Sequence, residues 1–336
     1  MNQIEQFKNI FWVFIDFMIS RKLHLFICLT SSFSYRSLCE NNDISSGRSY
    51  FNQNIYVNGC FFSRSSLFNG YGGVIYVSGS NYMLDIVFSM FYKCKVSGDN
   101  WCGAVFFDSK ESRLKMVCAH DCNAQYNNFA RIDALNTNIV EYLSIAACAM
   151  SGGGYQSFRL NCGDQFVTNS NSSLNSALRY TGLFIVDPDS FICKYCTFSN
   201  NKATEYTCIY LSGKSGIITS SNIVHNDSPT GSAIVRSLGN HYITFSIFYG
   251  NSHRLFIIES GTLSVSSCFV SHSSTLTIGT FVSYTNNTNT YANTYRIPFF
   301  NSYFCHAEIK INGDISTSAS KPKNLISYMF LVFMFF

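Results

Sequence analysis

Two short sequence blocks recur along this chain, and their periodicity restricts the possible folds more than any other feature. The first block is a small residue followed by a β-rich run, as in GVIY at 73–76 and GAVF at 103–106. Its copies start at positions 73, 103, 128, 157, 182, 207, 232, 254 and 279, separated by 22 to 30 residues. A repeat of this length is typical of one supersecondary unit that buries its apolar side against its neighbours.

The second block lies between copies of the first. It reads CTFSNN at 196–201, SNIVHN at 221–226 and SIFYGN at 246–251, and weaker copies begin at Cys60, Met90, Cys118, Ser144 and Cys268. Apolar residues at alternate positions favour a strand with one buried face. The final Asn favours a turn, because Asn tolerates left-handed backbone and can bond its own main chain.

Stacked strand–turn–strand units of this length predict an all-β fold, a right-handed parallel β-helix of about nine rungs over residues 35–285. Stacking at about 4.8 Å satisfies the backbone laterally and buries one continuous core. Helical repeats do not suit apolar runs of Phe, Ile, Val, Tyr and Cys. A β-propeller is the remaining rival, but each blade needs about 40 residues.

The signatures of the two blocks resemble those of a known repeat family. Phe198 with Asn201 and Phe248 with Asn251 match the Phe-x-x-Asn signature of the bacterial polymorphic membrane protein repeats. The runs GGVI at 72–75 and GSAI at 231–234 are similar to the family's Gly-Gly-Ala-Ile signature. Similar repeats occur in surface β-helix proteins of parasitic protists. The resemblance covers about residues 55–285 and implies a parallel β-helix displayed at a cell surface for adhesion.

The N-terminal segment, residues 1–34, has the plan of a secretory signal. From Met18 it runs through a basic Arg21-Lys22 pair and an apolar stretch at 23–30 to a small-x-small site at 32–34. The true start, Met1 or Met18, stays open. Three N-glycosylation sequons, at Asn171, Asn226 and Asn286, agree with an exported glycoprotein.

The C-terminal segments predict an exit from the solenoid at 286–324 and an apolar tail at 325–336. The tail is short for a membrane span, which needs about 20 residues. It fits a truncated transmembrane helix, the removable part of a lipid-anchor signal or a terminal strand. Membrane association through a terminal segment is therefore expected.

Because β-helices host carbohydrate-active enzymes, the acidic residues are candidates for a catalytic site. The pair Asp187 and Asp189 is separated by Pro188, which indicates a loop between rungs. Asp108, Asp133 and Asp187 follow the first block in successive or nearby rungs and could stack along one edge, where oxygen ligands suit Ca²⁺. The other rungs offer no acid there, so neither pattern identifies a catalytic or metal site.

The 14 cysteines suggest either extracellular disulfides or buried thiols that pack as small apolar residues. Cys193 with Cys196, and Cys118 with Cys122, each supply only half of a structural zinc site. Cys60, Cys118, Cys196 and Cys268 share one repeat position, which predicts one inward column. The cysteines therefore predict core packing rather than metal binding.

The sequence thus names no catalytic, cofactor-binding or metal-binding residue. Charged residues make up only 12% of the chain, the net charge is +4, and the sequence contains no run of basic residues. This composition argues against nucleic acid as a partner. We expect a cell-surface or secreted protein used for adhesion or molecular interaction with a host or extracellular protein or glycan, without catalysis. The alternatives are a carbohydrate-active β-helix, lyase- or hydrolase-like, and a truncated, inactive family member.

Overall fold

The fold is a parallel β-solenoid of about eight turns, and the described part of the chain contains no helix. The computed structural model describes residues 35–38, 43–44, 48–51, 53–67, 71–98, 101–149, 154–271, 277–278, 282–288 and 305. The predicted all-β parallel solenoid is confirmed, with about eight turns where about nine were expected, while its right-handedness stays a prediction. The signal-like segment and the apolar tail lie outside the described residues. Within those residues there is no helix that is long and apolar enough to cross a membrane.

The strands stack in three columns, named A, B and C in the order in which the chain visits them. Six long strands turn corners and serve two or three columns: β8 (Met83–Tyr92), β10 (Val105–His120), β11 (Asn127–Ala146), β20 (Ile209–Thr219), β22 (Ala233–Thr244) and β24 (Arg254–Ser266). Column A also contains β3 (Arg48–Phe51), β7 (Ile75–Ser78), β12 (Gln156–Asn161), β16 (Leu183–Val186) and β26 (Thr277–Ile278). Column B also contains β1 (Tyr35–Leu38), β4 (Asn54–Asn58), β13 (Asp164–Thr168), β17 (Ser190–Lys194) and β27 (Val282–Thr285).

Column C completes each turn with short strands. They are β2 (Asp43–Ile44), β5 (Phe61–Ser63), β14 (Asn171–Ser173), β18 (Thr197–Ser199), β21 (Asn222–Val224), β23 (Ile247–Tyr249) and β25 (Phe269–Val270). Two short pairs lie outside the columns: β6 (Ser66–Leu67) with β9 (Lys95–Val96), and β15 (Ser176–Ala177) with β19 (Lys202–Ala203). Every strand pairing whose register the structure describes is parallel, so equivalent side chains of successive turns lie directly above one another.

The register follows the sequence repeat closely. In column A, Ile75 pairs with Val105 and Val105 pairs with Ala130, so the first-block copies at 73, 103 and 128 are aligned. The block needs a small residue because a Cβ at Gly103 would lie 2.1 Å from the carbonyl oxygen of Asn128 in the next turn. The close approach of backbones therefore explains why glycine recurs at this position.

The interior is one apolar core that runs along the solenoid. Phe62, Phe91, Phe129 and Phe158 pack one against the next inside it, with ring centroids 4.8, 5.6 and 5.8 Å apart, and each is at most 2% exposed. Stacked aromatic pairs add roughly 0.5–1.5 kcal/mol each beyond the area they bury. Because no single turn can bury its own inner face, this core stabilises the turns only when they are stacked.

The corners of the coil depend on left-handed backbone at equivalent residues. Tyr195, Ser220 and Phe245 each lie two residues before a column C strand, and Phe88 lies at the equivalent position inside β8. All four have φ between 48° and 55°. A second set of left-handed residues precedes the predicted Asn turn: Leu174, Asn200, His225 and Gly250. The prediction that the Asn itself adopts left-handed backbone is therefore wrong, since the residue before it does so.

The asparagine side chains instead form a ladder inside the solenoid, made by Asn175, Asn201, Asn226 and Asn251. The Oδ1 atoms of Asn201, Asn226 and Asn251 each accept the backbone N–H and the side-chain amide of the Asn in the preceding turn, at 2.9–3.1 Å. Asn175 Oδ1 accepts the backbone N–H of Cys148 at 2.9 Å. Each Nδ2 also donates to a backbone carbonyl, as Asn226 does to Phe198 at 2.9 Å. The ladder thus satisfies backbone groups that are buried at a bend, where strand pairing cannot reach them.

Cysteines replace asparagine at this position in the earlier turns. The Sγ of Cys94 and Cys122 donate to the carbonyls of Phe62 and Phe91. These carbonyls lie five and four turns before that of Phe198, which Asn226 uses in the same way. With Cys148 they form three buried thiols at equivalent positions. A thiol donates more weakly than an amide but reproduces the same pattern.

A second inward column contains Ser or Cys directly after a corner. Ser221 shows the pattern: its Oγ donates to the carbonyl of Thr219 at 2.9 Å and accepts the N–H of Cys196 at 3.1 Å. The members with this hydroxyl or thiol are Ser89, Ser170, Cys196, Ser221, Ser246 and Cys268. Cys60, which is disulfide-bonded, occupies the same position one turn before Ser89, whose Oγ accepts its N–H at 3.2 Å. The predicted inward column is therefore confirmed for Cys60, Cys196 and Cys268.

Cys118 does not belong to this column, so that part of the prediction is wrong. Val117 pairs with Ser89, and Cys118 comes one residue later, paired with Met90. Because successive strand residues point to opposite sides, the Cys118 side chain leaves the core, and it forms a disulfide with Cys305, 187 residues further along the chain. The weaker second-block copies assigned to Met90 and Ser144 were offset by the same single residue.

A buried histidine predicts a pH-dependent stability. His241 is 1% exposed, its Nδ1 lies 2.6 Å from Ser237 Oγ, and its ring lies 5.2 Å from Phe191. Burial lowers the pKa of His241 to about 4. The unfolded chain, with a pKa near 6.5, therefore binds a proton first as the pH falls, so this contribution to stability is complete above about pH 6.5 and disappears towards pH 4.

We expect the free energy of unfolding of the wild type to fall by about 2 kcal/mol between pH 7 and pH 5 because of this residue. His241→Leu should remove that part of the slope, since Leu263 occupies the same position in the next turn. Denaturant unfolding at the two pH values measures the difference between the variants. An identical pH slope for both chains would contradict the assignment.

Candidate binding face

A column of aromatic rings follows one edge of strand column A. Tyr71, Trp101, Tyr126 and Tyr155 stack with ring centroids 6.5, 5.1 and 5.4 Å apart and interplanar angles of 26°, 23° and 15°. They align because the residues that follow them, from Gly72 through Cys102 and Asn127 to Gln156, pair between turns. We call these four residues the aromatic column.

A second, outward-facing set of rings and guanidinium groups lies beside it on the column A strands. Its members pair turn by turn: Tyr76, Phe106, Arg131, Arg159, Phe184, Tyr210 and Arg236. Tyr180 and Tyr206 extend the face, with Tyr180 stacked on Phe184 at 4.1 Å. Together with the aromatic column these residues form what we call the aromatic–arginine face.

The arginines of the face contact both rings and acids. The guanidinium carbon of Arg131 lies 4.4 Å from the Trp101 ring centroid, and that of Arg179 lies 5.0 Å from the Tyr155 centroid. Arg131 Nε also donates to Asp133 Oδ2 at 2.6 Å, and Arg159 Nε lies 3.9 Å from Asp133 Oδ1. Cation–π contacts and ion pairs thus hold these side chains in place along the surface.

A groove of about 360 Å³ lies within the face. Three of its lining residues have a buried side-chain atom without a hydrogen-bond partner: Asn127 at Oδ1, Gln156 at Oε1 and Arg159 at Nε. The groove is lined by Trp101, Tyr126, Asn127, Tyr155, Gln156, Arg159 and Arg179. A buried polar atom without a partner is costly, which makes such atoms candidates for contact with a ligand.

Burial also tunes the ionisable groups of the face. Burial lowers the pKa of Arg159, and the nearby positive charge of Arg131 adds to the effect. Burial raises the pKa of Tyr180 to about 12, with Tyr210 and Tyr206 contributing in the same direction. Tyr180 is therefore a neutral hydroxyl at physiological pH, able to donate or accept a hydrogen bond.

The fold places only two of the three aspartates Asp108, Asp133 and Asp187 next to each other. Asp108 and Asp133 are paired in adjacent turns, and burial raises the pKa of Asp108, with the charge of Asp133 adding to the rise. Asp187 is two turns further along and out of line, and it accepts a hydrogen bond from Ser212 at 3.1 Å. The three acids therefore do not form the predicted edge.

Neither half-site of cysteine gains the partners that zinc requires. Cys193 and Cys196 are both buried in the core, and a hydrogen bond with Cys196, together with burial, raises the pKa of the Cys193 thiol. Within the ranges that the structure describes, no three His, Cys, Asp or Glu side chains lie close enough to hold a metal ion. Both cysteines are core residues here.

The sequons differ sharply in their accessibility. Asn171 is 2% exposed and Asn226 is 1% exposed, and Asn226 belongs to the asparagine ladder. Asn286 is exposed at a corner with φ of 53°. A glycan on Asn171 or Asn226 would be incompatible with these positions, so among the three only Asn286 can carry one in the folded chain.

The aromatic column has a sequence signal that the search for chemical motifs missed. Each of its four residues stands two positions before a first-block start, at 73, 103, 128 and 157. A ring that recurs at one repeat position predicts a surface or core stack. The ion pairs beside the column carry no such periodic signal.

Comparisons with known proteins add no identification. No protein-family model, curated protein or solved structure matches the chain. Function is therefore inferred from the residues and geometry of the aromatic–arginine face.

Proposed function

We propose that this protein is a cell-surface or secreted β-solenoid that uses the aromatic–arginine face to bind an extracellular protein or glycan, without catalysis of its own. The observation that carries the proposal is the aromatic column with its adjacent groove. Tyr, Trp and Arg are the residues most enriched at energetically important contacts between proteins and their partners. A solenoid that served only as a spacer would have no need of them in one continuous stripe.

The disulfides support an extracellular location. Cys118 is bonded to Cys305, and Cys60 is also disulfide-bonded. Disulfides persist in oxidising compartments and are rare in the cytosol. The signal-like plan of residues 1–34, the apolar tail at 325–336 and the resemblance of the repeat signatures to those of surface β-helix proteins point in the same direction.

Charge pairing on the face favours binding over hydrolysis. Glycoside hydrolysis requires two carboxyl groups that flank one bond. Asp133 is 6% exposed and is engaged by Arg131 and Arg159, and it is therefore committed to holding the arginines. The carbohydrate-active alternative is accordingly not the function we propose.

Protease treatment of intact cells that express an epitope-tagged full-length chain tests the location. We expect the tag signal to disappear from the cells, or to be found in the medium, while a cytosolic control protein survives. If the chain survives the protease on intact cells and fractionates with the cytosol, the proposed function is overturned.

A further inference from the structure

We infer that the groove binds an acidic polysaccharide, with a carboxylate or sulfate group of the sugar chain held by Arg159 and Arg179. This inference rests on the proposed interaction function and specifies its ligand. It depends on three observations: the way the rings stack, the buried polar atoms without partners, and the balance of charge within the groove.

The stacking of the aromatic column determines which atoms a ligand can reach. Trp101, Tyr126 and Tyr155 lie nearly parallel at 5.1 and 5.4 Å, so their faces are largely occupied by one another. Arg179 lies over the Tyr155 ring in the next turn. A ligand in the groove therefore meets ring edges, where the hydroxyls of the two tyrosines and the indole N–H are found. This arrangement disfavours recognition of a neutral sugar by stacking on an open ring face.

The edges of the groove are rich in hydrogen-bond donors. An indole N–H and a guanidinium group donate only, and the tyrosine hydroxyls donate or accept. The Nε of Arg159, which lies 3.9 Å from Asp133 Oδ1 and has no hydrogen-bond partner, adds another donor. A surplus of donors suits a ligand with many acceptor oxygens, and carboxylate and sulfate groups have the strongest of these.

Two acceptors complement the donors. Asn127 is 1% exposed, and its Nδ2 donates to the carbonyl of Trp101 at 3.1 Å, which fixes the orientation of the amide. Its Oδ1 has no partner, and neither has Gln156 Oε1 on the adjacent turn. Both oxygens are covered by protein atoms in this structure, so a sugar hydroxyl donates to them only when a covering side chain shifts, while an anionic group on the same chain binds the arginines. A simple inorganic anion would leave both oxygens unsatisfied.

The charge of the groove is positive. Arg159 and Arg179 line it and no acid does. Arg159 shares Asp133 with Arg131, and Arg179 Nε lies 3.8 Å from Glu205 in an exposed pair whose side chains are 47% and 53% exposed. An exposed ion pair contributes little, so a ligand carboxylate or sulfate can displace Glu205 at little cost.

The geometry of the solenoid suits an extended chain. The groove side chains come from four successive turns, and with a spacing of about 4.8 Å they span roughly 14 Å along the axis. A short run of sugar units that lies parallel to the solenoid axis would place about one unit beside each turn. Repetition of similar side chains at a fixed spacing is what a polymer with a repeating unit can exploit.

The test uses the purified, folded full-length chain with the substitution Trp12→Phe, which leaves Trp101 as its single tryptophan. Three probes of equal length are titrated: a uronic acid oligosaccharide, a sulfated oligosaccharide and a neutral glucan. We expect Trp101 fluorescence to change with at least one acidic probe, and binding of the neutral glucan to be weaker by about tenfold or more. The two acidic probes distinguish carboxylate from sulfate as the anionic group.

The variant Arg179→Gln should weaken binding of the acidic probe by about tenfold, because it removes a charge-assisted contact. Arg113→Gln is the matched control: Arg113 is as exposed as Arg179, at 47%, and is also ion-paired, but it lies on strand column B. It should leave binding unchanged. Arg179 is exposed, so its replacement does not threaten folding.

Equal affinity for the neutral and acidic probes, an unchanged affinity in Arg179→Gln, or no fluorescence change with any probe would each overturn the inference. None of these outcomes affects the location of the protein, which the protease experiment measures separately. Failure of the ligand assignment and failure of the proposed function are therefore distinguishable.

Discussion

Removal of the Cys118–Cys305 disulfide is expected to lower the free energy of unfolding by up to about 5 kcal/mol. The bond closes a loop of 187 residues, and the loss of chain entropy in the unfolded state grows with loop length. Such a loss is a large fraction of the roughly 5–15 kcal/mol that stabilises a typical domain. Denaturant unfolding of a Cys118→Ala/Cys305→Ala double variant, under non-reducing conditions, measures it.

Two controls make the result specific. Cys162→Ala removes a free, half-buried cysteine and should change the stability by less than about 1 kcal/mol. A reducing agent should lower the free energy of unfolding of the wild type towards that of the double variant. If the reducing agent also lowers the free energy of unfolding of the double variant, that further loss reports the disulfide of Cys60. A double variant as stable as the wild type would show that the bond does not hold the fold together.

Loss of one member of the asparagine ladder is expected to cost about 4 kcal/mol. Asn226→Ala removes the acceptor of two N–H groups of Asn201 and the donor to the Phe198 carbonyl, all of them buried. Each buried group left without a partner costs about 1–3 kcal/mol. The change in the unfolding free energy, measured in the same denaturant assay, checks the value.

Asn226→Cys provides the sharper comparison, because the thiols of Cys94 and Cys122 make the equivalent bond to a carbonyl in the preceding turn. We expect it to be clearly less destabilising than Asn226→Ala. Asn136→Ala is the exposed control, with a single hydrogen bond of 3.4 Å to Glu111, and should cost less than about 0.5 kcal/mol. If Asn226→Ala were no worse than Asn136→Ala, the ladder would be incidental to stability.

The repeat predicted the solenoid because the spacing of its blocks is a direct consequence of stacking. The registers of Ile75 with Val105 and of Cys196 with Ser221 can be read from the sequence, since equivalent residues must lie above one another. Cys118 shows where this reading fails. A one-residue offset reverses the side to which a strand residue points. The inward position is occupied by Val117, which is neither the Ser nor the Cys of the repeat pattern.

The candidate face could be predicted only in part. The four rings of the aromatic column recur at a fixed distance from the first block and could have been found by the same periodicity. The ion pairs of Arg131 and Arg159 with Asp133 could not, because the first joins residues of one turn and the second joins neighbouring turns, in a geometry that only the folded chain defines. The disulfide partner of Cys118 was likewise beyond any periodic argument.

The left-handed corners have a consequence for how such a chain can diversify. Bulky residues occupy several of them, and Phe88, Leu174, Tyr195 and Phe245 remain 41–56% exposed there. Each non-glycine residue in this conformation costs about 1–2 kcal/mol. Since these side chains project away from the interior, exchanging one for another leaves the packing inside untouched. The ridges formed by the corners are therefore the positions at which the protein can acquire new surface chemistry with the least disturbance to its architecture.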